Sequence, residues 1–258
     1  MKDRDYIQSI DRCFALLGHL ASPDAPVTLE ELTRKSGSNK TTCFRFLKTL
    51  SRLGVVEQDA TRKAYHLGPA IVSLGLKGLK GMNLRRAALP VLQQLRDETA
   101  ETVNLGLLSG TEVIFIERLM SDYFVNANIN VGARLPVHCA SLGKVILAFI
   151  PEARAAEIIS QLDFKARTER TIGSPAALKG ELAEIRSMGY ALNDEELEKG
   201  LRAVAAPIMG YTGEAFAAIN VAWTTARRPS RRTFVQLAGK VVAAADRISL
   251  AMGFARQP

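Results

Sequence analysis

The chain has 258 residues, 47% of them hydrophobic, with a formal net charge of +8 and a pI near 9.6, enough for two domains and a sizeable core. The three cysteines, Cys13, Cys43 and Cys139, show neither a disulfide framework nor a zinc spacing, which points to a reducing compartment. The charged start (Lys2, Asp3, Arg4, Asp5) is not that of a secretory signal, and no apolar run approaches the ~20 residues of a membrane span, so the expected location is the cytoplasm, with no membrane partner.

Positive charge is concentrated early: residues 1–80 hold 13 Lys/Arg against 8 Asp/Glu. That balance suits a polyanionic partner, with nucleic acid the first candidate. Ile7, Ile10, Phe14, Leu17 and Leu20 recur at helical spacing and mark a first amphipathic helix, broken by 22–26. Thr28 followed three residues later by Glu31 has the form of a capping box and opens a short second helix. Gly37 closes a turn, and 38–53 reads as a third helix with Ser38 as its N-cap and Gly54 as its stop. Cys43, Leu47 and Leu50 form its buried stripe. Asn39, Lys40, Thr41, Thr42, Arg45 and Lys48 fall off the stripe, where a recognition helix keeps the side chains that reach base edges. Val55–Val56 and Tyr65–Leu67 read as short strands about the polar loop 59–63, a hairpin with Arg62 and Lys63 at its tip. Three helices and a basic hairpin make a winged helix-turn-helix over 1–68, whose wing cations can neutralise phosphates.

Residues 69–85 are apolar and rich in glycine at first, with Gly75, Gly78 and Gly81, and read as a linker with poor helical character. A second domain over 86–258 alternates helical and strand signals. A helix ending at Thr99 is followed by strands at Val103–Leu108 and Val113–Leu119, with a third candidate at 126–131. Short helices are expected at Val145–Phe149, Glu152–Leu162 and Ala176–Met188, strands at Ala203–Met209 and Phe216–Trp223, and a long helix at Thr233–Met252. Hairpin-connected strands imply a largely antiparallel sheet with helices packed on it, so the whole chain is α+β with two domains.

The segment 132–149 looks most like a site. Ser141 is placed to cap the helix that follows, which would leave the amides of Leu142 and Gly143 at a positive helix end able to bind a carboxylate or phosphate; plain capping with water is the competing interpretation. A phosphate-loop reading of Gly143-Lys144 fails, because His138 and Val145 stand where glycine and a hydroxyl residue would be needed. The histidines are too dispersed for a metal cluster, and His138 reads as a structural residue rather than a base. Asp194-Glu195-Glu196 and the basic run 227–232 both read as solvated turns. No nucleophile–base, Rossmann or G-x-S-x-G pattern is present, so neither a cofactor nor a metal is implied.

Taken together, these residues resemble the IclR family of bacterial transcriptional regulators. The likeness rests on Arg45 and the wing-closing 65–68, on 132–138 running into 143–148, and on 189–191, 195–196, 200–201 and 204–208. It implies a C-terminal GAF-like effector domain that binds a small organic acid, with double-stranded operator DNA as the other partner and self-association into dimers or tetramers through the DNA-binding domains. Carried over by position, the family's pocket falls on Arg134, Leu135, Ser141, Leu142, Asn193, Ala203, Asn220 and Ala222. Family members often have Asp at the position of Asn193, Cys or Ser at Ala203, and two serines at Asn220 and Ala222. The exchange for Asn, Ala, Asn and Ala removes a negative charge and leaves room for an apolar body behind a carboxylate head. The resemblance extends to the branch that regulates protocatechuate, hydroxybenzoate and β-ketoadipate catabolism, so an aromatic or dicarboxylic effector is expected. The alternatives are a C-terminal enzyme working through Lys144 or His138, which lacks a partner group in the sequence, and a ligand-independent architectural DNA binder.

Overall fold

The computed structural model describes residues 7–21, 26–59, 61–81, 83–121, 130–228, 230 and 232–254. The chain divides into two compact units, Met1–Gly81 and Met82–Pro258. Among the described residues, no helix is long and apolar enough to cross a membrane.

The first unit contains α1 (Gln8–Leu20), β1 (Val27–Thr28), α2 (Leu29–Ser36), α3 (Lys40–Arg52), β2 (Val56–Gln58), β3 (Ala64–Leu67) and α4 (Pro69–Gly81). The three strands form an antiparallel sheet in the order β1-β3-β2. The capping box is formed: Thr28 Oγ1 accepts from Glu31 N, and the Glu31 carboxylate accepts from Thr28 N at 2.9 Å. Leu16, Leu32, Cys43, Leu47, Val56 and Tyr65 meet in one small core. The N-cap of α3 is Asn39 rather than Ser38; its carbonyl oxygen accepts from Thr42 N at 2.8 Å, a bond that only the residue directly before the first turn can make. The apolar stripe of α1 also divides differently from its spacing. Leu16 and Leu20 are buried, while Ile7, Ile10 and Phe14 are 59%, 53% and 67% exposed. The apolar arc of this helix is wider than the strip its own unit covers.

The second unit begins with α5 (Asn83–Thr99), β4 (Thr102–Ser109), β5 (Glu112–Leu119), β6 (Arg134–Pro136) and a 3-10 turn at Val137–Cys139. It continues with α6 (Ser141–Ala148), α7 (Glu152–Ser160), α8 (Pro175–Met188), β7 (Ala191–Asp194), β8 (Leu201–Met209), β9 (Ala215–Thr224) and α9 (Arg232–Ala251). The sheet runs β6-β5-β4-β9-β8-β7, with every neighbouring pair antiparallel. Alternation along each strand sends one set of side chains to α6, α7 and α8 and the other to α5 and α9. Val113, Phe115, Ala205 and Ala218 join Val145, Ile146, Ile159 and Leu182 on the first face. On the second, Trp223 meets Phe234 edge-on with ring centroids 5.1 Å apart.

Two glycines let α6 lie close to its neighbours. A Cβ on Gly143 would stand 2.4 Å from Val137 Cα, and one on Gly106 would stand 3.0 Å from Leu142 Cδ1. The first contact is with backbone and leaves no room for a side chain.

Three expectations are corrected here. Most of the strand candidate at 126–131 lies outside the described residues, and Asn130 and Val131 are not in a strand; the edge strand is 134–136, paired with 112–114. Asp194-Glu195-Glu196 is no solvated turn. Asp194 pairs with Arg202 at 2.6 Å and Arg170 at 2.9 Å, the Glu195 carboxylate accepts from Gly200 N, and Glu196 is buried. In the basic run, Arg227 and Arg228 close on Glu101, whose side chain is buried, at 2.8 and 2.6 Å. In both segments, charges that look solvated in isolation have opposite charges brought to them by other parts of the chain.

Candidate functional site

The register of the sheet sets the floor of a pocket. Asn104 lies directly opposite Arg118 on one side and Asn220 on the other, so the three form a row across β5, β4 and β9. Two residues along, Asn193, Ala203 and Ala222 form a parallel row across β7, β8 and β9. Directly opposed residues share a face of the sheet, so both rows face α6. Leu135 and Phe115 wall the pocket at one end, Leu197 and Leu201 at the other, and Ser141 and Leu142 roof it. The pocket is a cleft between α6 and the sheet, partly open to solvent. No Asp or Glu is among the lining residues described, and Arg118 is the cation. Burial lowers the guanidinium pKa from its usual value.

A chain of hydrogen bonds crosses the pocket. Asn104 Nδ2 donates to Asn220 Oδ1 at 2.8 Å, and Asn220 Nδ2 donates to Ser141 Oγ at 3.2 Å. Ser141 opens α6 but does not cap it: Ala140 is the N-cap, without a side-chain bond. Its hydroxyl turns instead toward the sheet. Asn193 is committed to the backbone, donating from Nδ2 to Cys139 O at 2.6 Å and accepting from Glu196 N at 3.3 Å. Its amide therefore holds the wall rather than offering a free donor.

Of the positions expected to bind effector, Leu135, Ser141, Leu142, Asn193, Ala203, Asn220 and Ala222 are brought together here. Arg134 is not. It is exposed on the edge strand, bonded to Ser109 Oγ at 3.0 Å and paired with Glu112 at 3.6 Å. Adjacent residues on a strand point to opposite faces, so Leu135 and Arg134 cannot both enter one pocket. Arg118 and Asn104 were missed. Neither belongs to a local motif, and only the pairing of β5 with β4 and β9 reveals them.

Lys144 lies one turn inside α6 with its side chain fully buried. Its Nζ is 2.7 Å from Glu196 and 2.8 Å from Glu181 of α8. Desolvation raises the Glu196 pKa above the ordinary carboxylate value despite the opposing effect of Lys144. The neighbouring groups are chemically quiet: burial pushes the Cys139 thiol up to about 11 and the His138 imidazole below its usual value. The amine once eligible for catalysis is thus held between two carboxylates.

In the first unit, Asn39, Lys40, Thr41, Arg45 and Lys48 are exposed and Thr42 is half-buried. Thr41, Arg45 and Lys48, spaced i, i+4 and i+7, share one face of α3. Asn39 is spent on capping, and Lys40 pairs with Glu30 at 3.3 Å. Phe44, 48% exposed, stands beside Arg45 and was not among the expected residues. In the wing, the Asp59 carboxylate accepts from Thr61 N and Arg62 N, bonds that lower its pKa and shape the turn. Lys63 follows with φ near +50°, and both cations are exposed.

Comparison with known proteins matches residues 9–60 to the IclR helix-turn-helix domain and residues 76–250 to the bacterial transcriptional regulator IclR C-terminal domain. The HTH-type transcriptional regulator KdgR of Dickeya chrysanthemi is 33% identical over 226 residues, 88% of this chain and 74% of that protein. The Pca regulon regulatory protein of Pseudomonas putida is 30% identical over 246 residues, 95% of this chain and 84% of that protein. A crystal structure of an IclR homologue from Microbacterium hydrocarbonoxydans, complexed with 4-hydroxybenzoate, superimposes with a TM-score of 0.80 at 25% identity, covering 95% of this chain and 99% of that one.

The buried triad generates a test. In Lys144→Met the Glu196 carboxyl keeps its burial and loses its cation, so the variant should be less stable by about 3–5 kcal/mol near neutral pH. Because the folded-state pKa of Glu196 is already raised, the group favours folding when protonated and loses that advantage as pH rises. Without Lys144 the pKa rises further, so the deficit should grow from acid to neutral pH. Urea unfolding at several pH values measures this, and a deficit independent of pH would show that Lys144 contributes packing alone.

Proposed function

The chain belongs to the IclR family of bacterial transcriptional regulators, and on that premise we propose that its effector is a small organic acid, aromatic or dicarboxylic, held between α6 and the sheet. The protein is a DNA-binding regulator with an effector-binding C-terminal domain. The observation that carries the proposal is the pocket itself: a cleft with a guanidinium at Arg118, an α6 N-terminus at its roof, and no carboxylate among the lining residues described. A helix N-terminus and a cation both favour an anionic head group, and the methyls of Ala203 and Ala222 leave room for its body. The 4-hydroxybenzoate bound by the Microbacterium homologue and the Pca regulon named for the Pseudomonas relative support an aromatic acid.

On the DNA side, Arg45 is assigned to base reading with Thr41, Thr42 and Lys48 beside it. Asn39 shapes the start of the helix, Lys40 lies near the phosphates, and Arg62 and Lys63 of the wing hold the backbone. Effector binding shifts the regulator between states of different operator affinity, by no more than the difference in the effector's affinity for them. The unit self-associates through the uncovered face of α1, where Ile7, Ile10 and Phe14 lie exposed together, and dimers pair into tetramers.

Four outcomes are expected. Arg45→Ala should lose about 1–3 kcal/mol of discrimination between operator and scrambled duplex. Lys63→Ala should weaken both duplexes alike and flatten the salt dependence. Binding at two salt concentrations measures both, and equal losses on the two duplexes for Arg45→Ala would remove it from base reading. Ala222→Phe should fill the pocket, abolish acid binding in calorimetry and leave DNA binding intact; unchanged acid binding would place the effector elsewhere. Phe14→Glu should shift the sedimentation profile toward monomer, whereas a wild type already monomeric at micromolar concentration would rule out the α1 interface.

A further inference from the structure

One side chain of α3 does not fit the division between a buried apolar stripe and an exposed polar face. Phe46 packs on the core of its unit, but Phe44, two positions earlier, is 48% exposed. Lys40 lies one turn before Phe44 and Lys48 one turn after it, and all three are exposed. Thr41 and Arg45 border the same face. The helix carries four cations, Lys40, Arg45, Lys48 and Arg52, and no carboxylate of its own. Glu30 of α2 meets Lys40 at 3.3 Å, a pair exposed on both sides and therefore weak in water. A lone exposed apolar residue is ordinary. A ring set between two lysines on a face without acidic residues is placed to meet a polyanion, since a second copy of the same face would be repelled.

We propose that Phe44 reads a base: its ring packs on the 5-methyl group of a thymine in the major groove, beside the bases read by Arg45. The inference rests on the assignment of α3 to base reading and extends it to a residue without a hydrogen-bonding group. A phenyl ring offers neither donor nor acceptor. Against the major-groove edge of guanine, adenine or cytosine it would strip water from polar groups and return nothing. The thymine methyl is the apolar group on those edges, so burying it against a ring gains free energy where the other bases lose it. Phe44 also begins the second turn of α3, in the N-terminal half that a recognition helix presents to base edges.

The test starts from the full chain and a pool of random-sequence duplexes, from which the tightest binders are selected. In the preferred duplex each thymine is then replaced in turn by deoxyuridine, which removes the methyl and leaves the hydrogen-bonding groups in place. At one thymine the replacement should weaken wild-type binding about fourfold, the worth of one buried methyl. 5-Bromodeoxyuridine at that position, with an atom of methyl size on the same carbon, should restore it. Phe44→Ala should bind the thymine and deoxyuridine duplexes alike. Thr41→Ser, which removes a neighbouring methyl from the same face, should keep the difference. If Phe44→Ala does not fold, Phe44→Gln should no longer select that thymine. A wild type indifferent to every replacement, or a Phe44→Ala that still tells thymine from deoxyuridine, overturns the role of Phe44 and leaves Arg45 in place. A loss in Phe44→Ala that is equal on preferred and scrambled duplexes puts the ring on the sugar-phosphate backbone and overturns it as well. If selection returns no preferred sequence, base reading by α3 falls together with the role of Phe44.

Discussion

Sealing the Lys144 ammonium away from water commits three separate parts of the effector domain to one arrangement. The lysine belongs to α6, one carboxylate to α8, and the other to the segment that follows β7. Charges taken out of water tolerate little displacement, because a shift that opens one of these contacts leaves a buried ion uncompensated. The segment after β7 is fixed a second time by Thr168 and Thr171, whose hydroxyls donate to the Glu195 and Glu196 carbonyls. Leu197 follows immediately and forms part of the pocket wall. The position of that wall relative to the roof is therefore set by electrostatics outside the pocket, on residues that do not line it.

The DNA-binding half was legible because its signals are local. A capping box spans four residues, a helical stripe repeats every turn, and a hairpin announces itself by a polar loop between short apolar runs. The effector half was legible as a class of fold and as a set of elements, and the resemblance to a known family located most of the pocket. What could not be read was anything that depends on strand register. Asn104 and Arg118 become neighbours only when β5 pairs with β4, and a break in that pairing between Leu105 and Gly106 hides the relation from simple alternation. The same blindness made Asp194-Glu195-Glu196 and Arg227-Arg228 look solvated, since the charges that neutralise them lie in other elements. Arg134 failed for the opposite reason: a motif carried it to the site, and the parity of the strand turned it away.

The Ser141 hydroxyl is not the cap of α6. A capped terminus would show the Ser141 hydroxyl bonded to an amide of its own first turn. Instead the hydroxyl accepts from Asn220 across the pocket, and the N-cap is an alanine without a side-chain oxygen. The first residues of α6 line a pocket that also contains a guanidinium. An arrangement of this kind favours negative charge before any ligand arrives, and the apolar walls around it strengthen that preference by excluding water.

The pleat that sends Asn104, Asn220 and Ala222 toward α6 sends Val103, Val221 and Trp223 the other way, into the layer against α5 and α9. Each strand residue that lines the pocket is therefore flanked in sequence by residues that point into the opposite layer. Mutations can accumulate on one side of the strand without disturbing the other, and the winged helix is encoded in a different stretch of chain altogether. A lineage built on this plan can exchange the metabolite it answers to by replacing a few alternate residues, while retaining its operator and its stability.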